Sequence, residues 1–247
     1  MTAKIPRNTG LICRSLRSCV RLRFPRRSIP GTYLGKTRRR RGPRYRDNGP
    51  VRYVILGTTQ AIRDDGSTVP VGGARLRALL TALALRPGRA VPVGSLIAQV
   101  WDGDPPADAI AALQALVGRL RRAVGHAAVR SGEDGYLLVA SKDDVDLYRF
   151  ERLVAAGAAA GSPADAAALY DEALALWNGE PLSSLLGAQA RAARWKTLRM
   201  DARRGRLEAA LALGEAERAL PELTALCAGL PLDEPLQALR IRALRDA

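Results

Sequence analysis

The sequence predicts an α+β unit of short strands and three helices, followed by an all-α unit of helix pairs. Three observations point there. Between residues 51 and 139, short β-type runs alternate with helix-period runs, punctuated by Asp64-Asp65-Gly66, Gly72-Gly73 and Pro87-Gly88. After Asp146 only helix-period segments follow, separated by short breaks. The chain is 47% hydrophobic but only 4% aromatic, so Ala and Leu must fill its core, which suits helices packed closely on one another.

Taken in order, Val51–Gly57 and Gln60–Arg63 read as strands, and Thr68–Val71 as a third after the Asp64–Gly66 turn. Ala74–Leu85 places Leu76, Leu79, Leu80 and Leu83 on one helical face and stops at Pro87-Gly88. Val93–Trp101 is a second helix, with Leu96, Ile97, Val100 and Trp101 apolar. A third, Ala107–Val124, follows Pro105-Pro106 and buries Leu113, Val117, Leu120 and Val124. Arg130, Gly135 and Tyr136–Val139 form a hairpin. This is the element order of a winged helix-turn-helix of the response-regulator output type. Helices are then expected near 146–160, 164–177, 189–213, 215–228 and 233–245. Their size and their small-residue content suggest a tetratricopeptide-like stack, although no exact 34-residue signature repeats. The chain thus divides into 1–50, a winged helix over 51–141 and a helical unit over 142–247.

Charge is concentrated at the start. Residues 1–49 hold 15 Lys/Arg and a single acid, Asp47, and so carry +14 of the formal +15. The rest is nearly neutral, so overall basicity is no argument for a nucleic-acid partner. The first 50 residues lack periodicity and contain the run Arg38–Arg41. They read either as a disordered basic arm adding non-specific phosphate affinity, or as upstream sequence translated from a start set too early, with Val51 as the native initiator.

Several function classes are disfavoured. No apolar run approaches the roughly 18 residues of a membrane span, and Arg14 and Arg17 interrupt Leu11–Val20, so a cytoplasmic protein without a membrane partner is expected. Cys13, Cys19 and Cys227 form no disulfide framework or metal-ligand spacing, and His126, read as a loop residue, is the only histidine. No GxxxxGK[ST], HExxH or GxSxG motif occurs, so no catalytic, cofactor or metal site is expected and an enzyme is disfavoured. Asp143-Asp144 reads as a solvated turn, and Trp101, Trp177 and Trp195 read as packing residues.

Seven stretches in a fixed order carry a resemblance. They are Val54–Gly57; Gly73–Leu80; Val91-Pro92-Val93 with Leu96-Ile97; Trp101 with Pro105-Pro106; Leu113-Gln114 through Arg119–Arg122; Gly135–Leu138; and Asp146–Leu153, continued by Ala173–Trp177, Gly179 and Pro181-Leu182. Together they resemble the Streptomyces antibiotic regulatory proteins, from residue 51 to the end. The resemblance implies a winged helix whose third helix enters the major groove, with the hairpin tip on neighbouring phosphates or in the minor groove. It also implies a bacterial transcriptional activation domain, ending a helix or two early here. An activator of a secondary-metabolite cluster is expected, bound cooperatively, as a homodimer, to repeated elements of double-stranded promoter DNA. It would contact RNA polymerase and its sigma factor.

The expected DNA contacts are Arg75 and Arg77 on the first helix, Gln114, Arg119, Arg121 and Arg122 on the third, and Arg130 on the hairpin. Gln114 is the central base reader, because its amide pairs with adenine; the arginines of the third helix lie towards its end, where phosphate contact is expected. Similar proteins carry Ser, Arg and Asn where this chain has Asp108, Ile110 and Ala111, a polar or aromatic residue at Leu116, and Ser at Gly118. Two function classes therefore stand open: a DNA-binding activator, and a protein-interaction module whose DNA-reading face has decayed.

Overall fold

A computed structural model describes residues 51–185 and 187–247. The basic segment, and with it both readings of residues 1–50, lies outside the described residues. From Val51 the chain forms a winged helix-turn-helix followed by a helical unit, as the sequence predicts.

Strands β1 (Val51–Val54), β2 (Gln60–Arg63) and β3 (Thr68–Val69) make an antiparallel sheet in that order. Helices α1 (Ala74–Ala84), α2 (Val93–Trp101) and α3 (Ala109–Val124) pack on one another through their buried apolar faces. A two-residue strand, β4 (Val91–Pro92), joins β5 (Val129–Ser131) and β6 (Gly135–Leu138) in a second sheet ordered β4-β6-β5. The helical unit comprises α4 (Asp146–Ala158), α5 (Pro163–Ala175), α6 (Gln189–Ala212), α7 (Ala216–Gly229) and α8 (Glu234–Asp246). Here α4 packs on α5, α5 on α6, and α7 on α8.

Local chemistry sets the boundaries. Ser162 accepts the Asp165 N–H at 3.1 Å and is followed by Pro163, so it caps α5; Asp233 caps α8 by accepting the Leu236 N–H at 3.2 Å. Strand β3 is shorter than the expected Thr68–Val71, because Pro70 has no N–H to give a ladder. The strand expected over Val51–Gly57 stops at Val54, since the residues after it spend their backbone groups elsewhere. The N–H groups of Ile55 and Leu56 go to the Asp146 carboxylate at 2.9–3.0 Å. The Ile55 carbonyl accepts the Leu182 N–H at 3.1 Å, and the Leu56 carbonyl the Asn178 N–H at 3.0 Å.

These bonds fasten the winged helix to the helical unit. Thr59 and Thr81 share a 2.7 Å hydroxyl contact, and Thr59 reaches Ser184 at 2.8 Å. Tyr148 donates its hydroxyl hydrogen to the Leu85 carbonyl at 2.6 Å. One hydrophobic core runs from Tyr53 through α1–α5 to Trp195 and Ala202; a second, from Leu207 to Ala243, lies among α6, α7 and α8. Trp101, Trp177 and Trp195 are all buried, Trp177 meeting Phe150 edge-on at 5.3 Å, which agrees with their reading as packing residues.

Asp146 is 8% exposed, and burial pushes its carboxyl up to about 6 despite three backbone N–H donors that favour the charged form. In the helical unit, Tyr170 wedges between two glycines: a Cβ at Gly205 of α6 would stand 2.5 Å from its ring, and one at Gly157 of α4 3.0 Å.

Candidate nucleic-acid interface

The third helix is built to present one face. Leu113, Leu116, Val117, Leu120 and Val124 are buried, which fixes its rotation. It starts at Ala109 rather than at Ala107, because Asp108 is its cap, accepting the Ala111 N–H at 2.9 Å. Ala111, Gln114, Ala115, Arg119 and Arg122 are exposed, and Ile110, at 58% exposure, stands out near the start. The centre of the outward face is therefore mostly small and apolar, with Gln114 its one amide and Arg119 and Arg122 its exposed cations. Arg122 donates from Nε to the Gly118 carbonyl at 3.3 Å and so lies back along its own helix.

The other expected cations divide between the two flanks of α3. On one flank, Arg119 shares a cleft of about 470 Å³ with Gly72, Gly73, Arg75, Trp101 and Leu116. The Arg75 guanidinium stacks 5.7 Å over the Trp101 ring. A neighbouring cleft of about 380 Å³ holds Arg119 and Arg122 beside Pro70 and Gly72. Arg75, Arg119 and Arg122 thus converge along one side of the helix. Helix α1 begins at Ala74, and its cap residue Gly73 has no side chain to bond the first-turn N–H groups, which add positive potential there. Arg77 is half-buried and lines a separate cleft of about 400 Å³ with Arg75, Asp104, Ser183 and Ser184, next to the helical unit.

On the other flank, Arg121 is committed to the hairpin. Its Nε donates to the Val129 carbonyl at 2.9 Å, its Nη2 to the Ser131 hydroxyl at 3.1 Å, and its guanidinium lies 5.9 Å from the Tyr136 ring. Arg130 is exposed on β5, opposite Leu137. The hairpin tip is acidic: Glu133 and Asp134 are both exposed there. The resemblance implied a tip on phosphates or in the minor groove, and the reading of it passed over these two acids, whose signal was plain in the Gly132–Gly135 segment. Sequence reasoning also missed the Arg121–Ser131 contact, which no spacing rule encodes because the partners lie on different elements.

The arrangement offers cations and backbone N–H groups to phosphate, one amide to a base edge, and apolar surface suited to a thymine methyl. Among the described residues no cluster of three His, Cys, Asp or Glu could hold a metal ion, and no helix is long and apolar enough to cross a membrane.

Comparison with known proteins matches both units of the fold. The family model described as "Bacterial transcriptional activator domain" matches residues 145–247, and "Transcriptional regulatory protein, C terminal" matches residues 71–133. The regulatory protein DnrI of Streptomyces peucetius is 32% identical over 209 residues, covering 77% of this chain and 76% of DnrI. The regulatory protein AfsR of Streptomyces griseus is 36% identical over 199 residues, covering 78% of this chain; the match spans only 20% of AfsR. The solved structure of Mycobacterium tuberculosis EmbR in complex with a low affinity phosphopeptide superposes with a TM-score of 0.70 at 29% identity, covering 78% of this chain and 54% of that one. The chain belongs to the Streptomyces antibiotic regulatory protein family of transcriptional regulators.

Proposed function

We propose that this regulator binds double-stranded promoter DNA through α3 and activates a secondary-metabolite gene cluster. The observation that carries the reading is the exposed face of α3, with Arg75, Arg119 and Arg122 gathered along one side of it. A duplex major groove admits a helix of this kind, with Gln114 towards the base edges and the arginines on flanking phosphates. On the hairpin side Arg130 supplies the cation, while Glu133 and Asp134 keep the tip itself away from phosphate. Homodimeric binding to direct repeats and contact with RNA polymerase and its sigma factor belong to the same reading. So does a place in the cytoplasm on the nucleoid. No enzymatic step is part of it.

A second reading has its own support. Ala111, Ala115 and Gly118 leave the centre of the helix face without hydrogen-bonding groups. A regulator with that face works through protein contacts of its helical unit. Binding of the protein to its own upstream DNA, in a salt series against random-sequence competitor, separates the two. The DNA reading expects a protected repeat and steep salt dependence; the interaction reading expects no preference over competitor.

A further inference from the structure

We infer that Arg121 is not a phosphate contact but the positioning residue that sets the hairpin against the recognition helix. The inference rests on the DNA-binding reading for its functional half, whereas its structural half stands without DNA. Arg121 bonds to another element of the fold, whereas Arg122 bonds only back to its own helix. Arg121 spans from α3 to β5 with two hydrogen bonds, one to a main-chain carbonyl and one to a side-chain hydroxyl, eight and ten residues along the chain. The stack on Tyr136 brings in β6, so a single guanidinium ties the helix to both strands of the hairpin. The side chain is half-buried, whereas Arg119 and Arg122 are exposed.

The geometry suits arginine and not lysine. A planar fork donates from Nε and Nη2 in fixed directions and lies flat over an aromatic ring; an ammonium is a point donor on a flexible stem. Because β5 carries Arg130 next to both acceptors, the strut also fixes how far Arg130 stands from α3. Arg121 therefore sets the span of DNA between the helix contact and the hairpin contact. A charge spent on Val129 and Ser131 is not spent on phosphate, and this distinction is measurable. A protein that neutralises one phosphate fewer has a shallower salt dependence, whereas one whose contacts are misplaced keeps its phosphates and loses register.

The test compares Arg121→Lys, Ser131→Ala and Arg122→Ala in the full chain. Without DNA, hydrogen exchange of the β5 and β6 amides is measured. Arg121→Lys and Ser131→Ala are expected to speed it about two- to tenfold, as loss of one hydrogen bond does, and Arg122→Ala to leave it unchanged. Ser131 is exposed, so its truncation does not threaten the fold. With promoter DNA, Arg122→Ala is expected to lower the salt slope by about one. Arg121→Lys and Ser131→Ala are expected to keep the slope and shift the protection on the hairpin flank of the footprint, with the α3-centred protection retained. Hairpin exchange at the wild-type rate in Arg121→Lys overturns the inference. So does full restoration of the footprint by lysine, which a simple phosphate contact allows. If the wild-type protein shows no footprint at all, the DNA-binding reading fails, and the exchange rates alone then decide whether Arg121 positions the hairpin.

Discussion

The carboxylate of Asp146 accepts the backbone N–H groups of Ile55 and Leu56, some ninety residues earlier, and that of its own neighbour Leu147. This contact draws the end of strand β1 onto the first residue of helix α4. It places a buried acid where the winged helix meets the helical unit, at the positive end of a helix. Replacing Asp146 with Asn puts an amide NH₂ against N–H donors. We predict a loss of about 1–3 kcal/mol in urea unfolding, because at least one buried donor loses its partner.

The same residue gives a pH dependence with a definite sign. Its folded pKa, about 6, lies above the 3.8 of an ordinary aspartate. Between those values the folded state holds a proton that the unfolded state has released. The contribution of Asp146 to stability is therefore fully present below pH 4, falls as pH rises towards 6, and is level above. The advantage of the wild type over Asp146→Asn is expected to shrink across that window. Urea titrations of both proteins from pH 4 to 7.5 check it; an advantage that grows with pH contradicts it.

Gly205 and Gly118 are both helical glycines, yet alanine is predicted to act oppositely at the two. At Gly205 the added methyl meets the Tyr170 ring at 2.5 Å, and Tyr170 is itself buried. Overpacking of this kind costs about 1–3 kcal/mol. At Gly118 nothing lies within 4 Å of the added carbon, and alanine gains about 0.8–1.0 kcal/mol of helix propensity. Thermal unfolding of the two variants, moving in opposite directions, is the measurement.

The acidic tip of the hairpin predicts a gain of affinity by mutation. Glu133 is exposed in the same hairpin as Arg130, the residue that the DNA-binding reading sets against the backbone of the duplex. Glu133→Lys is expected to tighten binding to any duplex and to steepen the salt dependence by about one unit of slope. Discrimination against competitor is expected to stay the same, because phosphate contacts carry no sequence information. Fluorescence anisotropy at several salt concentrations measures both.

Much of this molecule was legible because its elements are locally determined. Gln60–Arg63 and Val93–Trp101 form the elements their patterns predict, residue for residue. The stripe Leu113, Val117, Leu120 and Val124 fixes the face of α3 from periodicity alone. Strand β4 escaped, because two residues, Val91 and Pro92, cannot show an alternation; only their pairing with Gly135 and Tyr136 makes them a strand. Ile55–Gly57 read as strand because the run Val51–Leu56 is β-like, but their hydrogen bonds go to Asp146, Asn178, Leu182 and Ser183. At the candidate interface the residue types were visible and their partners were not. Arg119 and Arg121 stand two apart in sequence and diverge by helical geometry alone, one to the cleft beside Arg75 and the other to the hairpin.

The most direct test is a footprint of the protein on its own upstream DNA, with Gln114→Ala alongside, using both the full chain and a chain begun at Val51. The shorter chain removes the segment that carries most of the formal charge and would bind any duplex. Protection of a repeated element by both chains, weakened about tenfold or more at one base position by Gln114→Ala, is the predicted result. Protection that vanishes with the first 50 residues, or that random-sequence competitor removes equally well, would contradict recognition by α3.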